Sequence, residues 1–335
     1  MPEQLALPAV MHRSQLLAAG TTSDEIRTAL RRDEWQAVHR GTYCTAEAVA
    51  ALNSEQQHRL RALALAQRSP HLAVSHLSAA TLLHLPLWDV RFDDVHLTRA
   101  GRGGSRVGPG RIVHAGRLDP GDVVAIHGVR ATSPGRTLVD LARTTSHPTA
   151  VIAADYALAR RLVTPAELAL ALAAAGHCRG AAAARRALLF ADGRSESAGE
   201  SRTRLVLHQG GLPAPHLQVQ IYAQDGTFLG RVDLGYPELG VLIEFDGKVK
   251  YQQPFRPGQT PAEVVIAEKL REDRLRALGY VVVRFVWSDL ADPAGMAATV
   301  ATALERGRTV AAAGAIAGTW TALPPMQLRA APGDA

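Results

Sequence analysis

Apolar positions near the start of the chain recur with helical spacing and then switch to short alternating runs. A helix is predicted over 13–20, and a second helix opens at Thr22. Thr22 and Glu25 have the spacing of a capping box, in which hydroxyl and carboxylate satisfy backbone N–H groups at a helix start. Two short strands are expected over 35–44. Two helices followed by a β-hairpin predict a winged helix-turn-helix over 1–46.

The middle of the chain, about 47–194, mixes helical spacing with short apolar runs that are typical of strands. Helices are predicted over 52–68, 74–84 and 148–190, and strands over 95–98, 111–114 and 122–127. A basic, glycine-rich stretch over 101–110 is predicted to be a loop. Ser133 and Pro134 stand at the N-cap and first positions of one more helix. These elements predict a mixed α/β middle domain.

From residue 195 onward the pattern predicts the order αβββαβ. Helices are expected over 198–209 and 261–278, and strands over 217–223, 227–235, 241–246 and 280–285. One more helix covers about 293–306 and completes a domain over 195–310. The Pro- and Ala-rich residues 311–335 are expected to be mostly disordered. The fold class predicted is therefore a multidomain α+β or α/β protein.

Composition narrows the class of protein without choosing a function. A length of 335 residues predicts two or three domains. The net charge of +6 favours polyanionic partners, and eight arginines face only three acids over 99–143. No apolar run approaches the roughly 18 residues of a membrane span, so we expect a soluble, cytoplasmic protein with no membrane partner.

Cysteine and histidine spacing gives no sign of a metal site or a disulfide framework. The two cysteines, Cys44 and Cys178, lie far apart in the sequence. Four histidines of the middle region lack metal-ligand spacing and are expected to be structural. These are His76, His84, His96 and His114.

Lysine is confined to one short stretch of a chain that otherwise uses arginine. The three lysines are Lys248, Lys250 and Lys269, among 37 lysines and arginines in total. Arginine serves wherever any positive charge will do, whereas a compact and titratable ammonium group has different chemistry. The confinement of lysine therefore indicates a specific role for at least one of them.

Carboxylates precede these lysines on two predicted strands. Glu244 and Asp246 share one face of their strand, and hairpin pairing is expected to bring Asp233 close to Glu244. Such carboxylates repel one another unless a divalent cation lies between them. A nearby lysine can then assist phosphate chemistry at the metal. The alternative is a solvated hairpin that carries surface charges. Glu200 also has two interpretations, as a site residue or as part of a capping box with Ser197.

The segment 197–290 resembles the PD-(D/E)XK nuclease superfamily, near the very-short-patch-repair endonucleases. The matching residues are Glu200, Asp233, Glu244, Phe245, Asp246, Gly247 and the stretch 271–285. The resemblance implies a Mg²⁺ or Mn²⁺ site formed by Asp233 and Glu244, with Glu200 as a helper. The family's lysine usually stands two residues after the second acid, where this chain has Asp246. Lys248 or Lys250 must therefore substitute for it. Gly247 lets the backbone turn directly after Asp246, so Lys248 is predicted to be the catalytic lysine, with Asp246 beside it.

Residues 1–190 resemble the AbiEi-type antitoxins of type IV toxin–antitoxin systems. The segments that carry the likeness are 38–43, 74–80 and 131–143. The resemblance implies binding to promoter DNA and a nucleotidyltransferase-like toxin as partner. Residues predicted to contact DNA are Arg27, Arg31, Arg32, Arg40, Lys250, Lys269, Arg271 and Arg274.

Two interpretations of the whole chain remain open at this point. The chain is either a DNA-binding protein whose nuclease-like domain cleaves phosphodiester bonds with a metal, or a non-catalytic regulator. In the second case the nuclease fold only binds or scaffolds. An intact set of acids favours the enzyme, whereas the displaced lysine favours the regulator. The sequence does not fix the oligomeric state.

Overall fold

The computed structural model describes residues 7–101, 103–247 and 261–328. Its polypeptide divides into two compact units. We call Met1–Ala153 with Ala166–Leu188 the N-terminal unit, and Ala154–Pro165 with Leu189–Ala335 the C-terminal unit. Within the described residues there are twelve α-helices and three β-sheets, as expected for a multidomain α/β protein.

The chain begins with two short helices and a small antiparallel sheet. The elements are β1 (Met11–His12), α1 (Arg13–Ala18), α2 (Ser23–Arg31), β2 (Trp35–His39) and β3 (Thr42–Thr45), with strand order β1-β3-β2. The predicted capping box is present, because the Thr22 hydroxyl accepts from the Glu25 backbone N–H at 3.2 Å and Glu25 bonds back. Ile26 and Ala29 are the buried residues of α2. The predicted helix–helix–hairpin order is therefore the observed one.

The rest of the N-terminal unit is built on a six-stranded mixed sheet. Its elements are α3 (Ala46–Ala50), α4 (Ser54–Gln67), β4 (Ala73–Val74), α5 (His76–Leu82), β5 (Val95–Ala100), β6 (Arg106–Gly108), β7 (Arg111–Gly116), β8 (Val123–Ile126) and β9 (Val129–Thr132). The strand order is β6-β7-β5-β4-β9-β8. The predicted loop over 101–110 in fact contains β6, because the turn after Gly108 lets it pair with β7.

Four helices follow the sheet. They are α6 (Pro134–Thr144), α7 (His147–Ala159), α8 (Pro165–Ala175) and α9 (Ala181–Phe190). Ser133 and Pro134 occupy the N-cap and N1 positions of α6, as predicted.

The C-terminal unit contains the predicted order αβββαβ and two additional elements. The elements are α10 (Ala198–Gln209), β10 (His216–Tyr222), β11 (Phe228–Tyr236), β12 (Val241–Asp246), α11 (Pro261–Ala277), β13 (Val281–Val286), α12 (Pro293–Ala312) and β14 (Thr319–Thr321). The strand order is β13-β12-β11-β10-β14, and only the β12–β13 pair within it is parallel. Helix α12 extends to Ala312 and β14 joins the sheet edge, so the chain beyond 311 is not uniformly disordered.

Both faces of β12, which lies inside the sheet between β13 and β11, are covered. Ile243 and Phe245 lie in an apolar cluster with residues of α10 and α12, whereas Leu242 on the opposite face lies in a cluster with Leu275 of α11. Gly199 of α10 is required by this packing, because a Cβ there would come within 2.1 Å of the Phe245 ring. Since side chains alternate along a strand, Glu244 points to the α11 face of the sheet.

None of the helices in the described part of the chain is long and apolar enough to cross a membrane.

Candidate functional sites

Asp233 and Glu244 lie where the pairing of β11 with β12 ends. The last pair of the antiparallel ladder is Leu234 with Ile243, and each acid stands directly beyond it. The backbone N–H of Phe245 donates to Asp233 Oδ2 at 2.8 Å. The two strands are therefore neighbours, as predicted, and the Asp233 carboxylate is bonded to the backbone next to Glu244.

Glu244 is held by two arginines. It is only 8% exposed, and its Oε1 accepts from Arg271 Nη2 at 2.5 Å while its Oε2 accepts from Arg284 Nη2 at 2.9 Å. Glu268 of α11 accepts from the same two guanidinium groups, at 2.8 and 3.0 Å. Arg271, which was predicted to contact DNA, has a side chain that is 21% exposed and paired with acids. Its predicted role in DNA binding stays a prediction.

The contacts of Glu244 with arginine bear on whether this site can bind a metal ion. Carboxylate oxygens are the ligands that Mg²⁺ and Mn²⁺ prefer, so the residue types suit such an ion. The hydrogen bonding does not, because both oxygens of Glu244 already bind guanidinium groups. A divalent cation at Glu244 would have to replace at least one of these contacts.

Glu200 and Asp246 are the other acids assigned to the site. Glu200 Oε2 accepts from Glu196 N and from Gln218 Nε2, both at 2.9 Å. Burial and, secondarily, repulsion from Asp233 raise the pKa of Glu200 to about 7. The predicted capping box is only half formed, because Glu200 N donates to Ser197 Oγ at 3.2 Å while the glutamate bonds elsewhere. Asp246 Oδ1 is buried without a hydrogen-bond partner among the described residues.

Besides Arg271, four basic residues of the C-terminal unit were predicted to act in catalysis or DNA binding, and the structure describes two of them. Lys248 and Lys250 lie outside the described residues. Lys269 and Arg274 are exposed on α11. Their predicted roles in catalysis or DNA binding stay predictions.

Helix α2 presents arginines on its outer side. Arg27 and Arg31 are exposed one turn apart, opposite the buried Ile26 and Ala29. Arg27 pairs with Asp24 at 2.9 Å, and its side chain is 67% exposed. Arg32 follows the helix, and Arg40 lies at the turn between β2 and β3, both exposed.

One cluster escaped the sequence prediction. His76, His96 and His114 offer nitrogen atoms that lie within 4.8 Å of one another, a proximity that their spacing in the sequence did not predict. His96 and His114 come together because β5 and β7 are parallel neighbours, with Thr98 opposite His114. Separations of about twenty residues carry no local motif. Only the pairing of β5 with β7 could have revealed the cluster.

Comparison with known proteins bears on the N-terminal resemblance. Residues 95–190 match the AbiEi antitoxin C-terminal domain. The expected likeness to these antitoxins is thus confirmed over β5 to α9, the part that contains His96 and His114. The comparisons give no support to the PD-(D/E)XK resemblance of 197–290, which stays a prediction.

Two mycobacterial proteins are similar to part of this chain. The uncharacterized protein MT2308 of Mycobacterium tuberculosis is 36% identical over 184 residues, which is 55% of this chain and 65% of the relative. The uncharacterized protein Rv2248 of the same species gives the same figures. The chain therefore spans less than two thirds of the relatives that it matches.

Proposed function

We propose that this protein is a DNA-binding antitoxin of the type IV kind. In this role it binds DNA upstream of its own gene and counters a nucleotidyltransferase-like toxin. The observation that carries the proposal is the match of residues 95–190 to the AbiEi antitoxin C-terminal domain. The helices and hairpin over 11–45, which precede the matched domain, supply an element of the kind that enters a major groove.

Helix α2 is the element proposed to contact DNA. Its outer side carries Arg27 and Arg31, which are exposed, while its inner side is anchored by Ile26 and Ala29. Arg40 at the hairpin turn is exposed and extends the positive surface as a wing does. Arginine is suited to phosphate oxygens and to guanine edges because its fork donates two parallel hydrogen bonds.

The proposal is tested by fluorescence anisotropy with duplex DNA from upstream of the gene. The double variant Arg27→Ala, Arg31→Ala should bind more weakly and lower the slope of log K against log salt by about 1.8, at about 0.9 per phosphate contact. The matched control is Arg91→Ala, because Arg91 is also exposed and paired, with Asp93 at 3.0 Å. Equal affinity and slope in wild type and double variant would remove α2 from the interface.

A second candidate function is metal-dependent phosphodiester cleavage by the C-terminal unit. What favours it is the hydrogen bond from Phe245 N to Asp233 Oδ2, which places Asp233 beside the strand that carries Glu244, together with the unpartnered Asp246 Oδ1 among the described residues. We propose Mg²⁺ or Mn²⁺ as the ion, Asp233 and Glu244 as its ligands, and Glu200 and Lys248 as assisting groups. The contacts of Glu244 with arginine oppose this candidate, so it ranks second.

Calorimetric titration with Mn²⁺ tests the second candidate in the full chain. Asp233→Ala and Glu244→Ala should each abolish binding at this site. Asp225→Ala removes an exposed acid of the β10–β11 turn and should leave the affinity unchanged. If wild type and both site variants bind Mn²⁺ equally, the carboxylates do not form a metal site, and the antitoxin proposal is unaffected.

A further inference from the structure

Three imidazole rings meet inside the N-terminal unit. His76 begins α5, His96 lies on β5 and His114 lies on β7. The rings of His76 and His114 stack with centroids 3.8 Å apart, and those of His96 and His114 are 5.2 Å apart. Two strands and one helix, distant in sequence, therefore converge on one point.

The nitrogen atoms of His96 and His114 face one another. His96 Nδ1 and His114 Nε2 are 3.0 Å apart, so either a proton or a cation must lie between their lone pairs. The other nitrogen of His114, Nδ1, is 3.2 Å from Ser105 Oγ. If that nitrogen carries the proton and donates to the serine, Nε2 is left with its lone pair toward His96. A hydrogen bond of this kind commonly orients a histidine ligand.

His76 is oriented in the same manner. Its Nδ1 lies 3.0 Å from Ser75 Oγ and 3.9 Å from Asp140 Oδ2. The Ser75 oxygen is itself fixed, because Thr98 Oγ1 donates to it at 2.7 Å. A proton on Nδ1 leaves Nε2 of His76 as the third available nitrogen. His76 also has a backbone φ of +50°, a left-handed conformation that is uncommon outside glycine, although histidine enters it more readily than most residues.

The cluster is enclosed by the unit. His76 is 4% exposed, and His96 and His114 are partly buried. Packing therefore holds the three rings close to one another.

Two of the rings line a cavity of about 270 Å³ that gives access from outside the cluster. Its charged lining is balanced, with three arginines and three aspartates. These are Arg117, Arg136, Arg143, Asp119, Asp122 and Asp140. Asp140 pairs with Arg136 at 2.9 Å and with Arg143 at 3.1 Å, so the guanidinium groups nearest His76 are neutralised in part. A bound cation is therefore not surrounded by uncompensated positive charge.

We propose that His76, His96 and His114 bind one divalent transition-metal ion of the zinc type. Three imidazole nitrogens suit Zn²⁺, Co²⁺ and Ni²⁺, whereas Mg²⁺ prefers oxygen. In a tetrahedral site with bonds of about 2.1 Å, ligand nitrogens are about 3.4 Å apart. The His96–His114 separation is already near this value, and a rotation of the His76 ring closes the rest. The fourth position opens toward the cavity and takes water or an anionic group.

Metal titration of the full chain tests the site, using tag-free protein stripped with a chelator. Calorimetry should give one Zn²⁺ per chain for wild type. His96→Gln and His114→Gln should each weaken binding by about 10²-fold or more, since losing even an outer partner of a ligand costs 10- to 100-fold. His71→Gln is the matched control, because His71 is exposed in the same unit, and it should bind as wild type does.

A second readout does not depend on the variants folding. Co²⁺ added to wild type should give the visible absorption bands of a four-coordinate site, and Zn²⁺ should remove them by displacement. Absence of Zn²⁺ binding in wild type would overturn the proposal. So would undiminished affinity in folded His96→Gln and His114→Gln, or a Co²⁺ spectrum identical to that of the aqueous ion.

Discussion

Glu200→Gln should stabilise the C-terminal unit at neutral and higher pH. Glu200 is 6% exposed, and its carboxylate accepts hydrogen bonds from two neutral donors, Glu196 N and Gln218 Nε2. Burial and the nearby Asp233 raise its pKa from 4.5 to about 7. Glutamine keeps the shape and one accepting oxygen but carries no charge, so it mimics the protonated form.

The sign and the size follow from linkage. The pKa of Glu200 is higher in the folded chain than in the unfolded chain, so protonated Glu200 stabilises the folded state. This stabilisation is complete at pH values below the unfolded pKa and is lost as the pH rises through the folded pKa. The unfolding free energy of wild type should therefore fall between about pH 4.5 and 7 because Glu200 ionises. In Glu200→Gln this pH-dependent fall should be absent. A tenfold change in proton affinity corresponds to about 1.4 kcal/mol. The unfolding free energy of Glu200→Gln should therefore exceed that of wild type by on the order of 3 kcal/mol above pH 7.

Hydrogen exchange of the most protected amides in β10 and β11 measures this difference, because such amides exchange through opening of the whole unit. Comparing variant with wild type at each pH, with chelator present, cancels the intrinsic pH dependence of exchange. The wild-type rate should exceed the variant rate by on the order of 10²-fold at pH 8 and by little at pH 4.5. The control Glu305→Gln, at an exposed glutamate of α12, should show no such trend. A ratio independent of pH for Glu200→Gln would refute the reasoning.

Three other changes have defined outcomes. Asp155→Asn should destabilise the C-terminal unit by about 3–5 kcal/mol in urea unfolding, because it leaves the buried Arg204, now at 2.9 Å, without its carboxylate; stability equal to wild type would contradict this. If Mn²⁺ binds at the carboxylates, Arg271→Ala should raise its calorimetric affinity about tenfold, since a charge-assisted hydrogen bond that competes with the ion is worth roughly 1.5 kcal/mol; lower affinity would count against competition. In plasmid cleavage with Mn²⁺, Lys248→Arg should lower the rate by about 10²-fold and Lys250→Arg should leave it nearly unchanged; the reverse pattern would assign the role to the second lysine.

Local signals in the sequence predicted most of the secondary structure. The capping box at Thr22 and Glu25 and the Ser133–Pro134 start of α6 are formed by nearby residues, so pattern alone identifies them. The antiparallel pairing of β11 with β12 also followed, because two apolar strands joined by a short turn form a hairpin. These features need no knowledge of the tertiary fold.

The features that were missed depend on contacts between distant segments. Glu244 contacts Arg271 because α11 packs on the face of the sheet toward which Glu244 points. No local sequence pattern predicts this contact. The edge strand β14 forms only because β10 offers an unpaired edge. The histidine cluster likewise depends on which strands of the middle sheet are neighbours.

Relief of toxicity tests the central claim most directly. If a nucleotidyltransferase-like protein is encoded beside this chain, it would be expressed alone, with the full chain, and with the chain whose α2 carries Arg27→Ala and Arg31→Ala. The account predicts growth arrest by the toxin alone and restored growth with both forms of the chain, because it assigns toxin neutralisation to the domain over 95–190 and DNA binding to α2. Arrest that persists with folded, expressed wild-type chain, or the absence of any such toxic neighbour, would contradict the account.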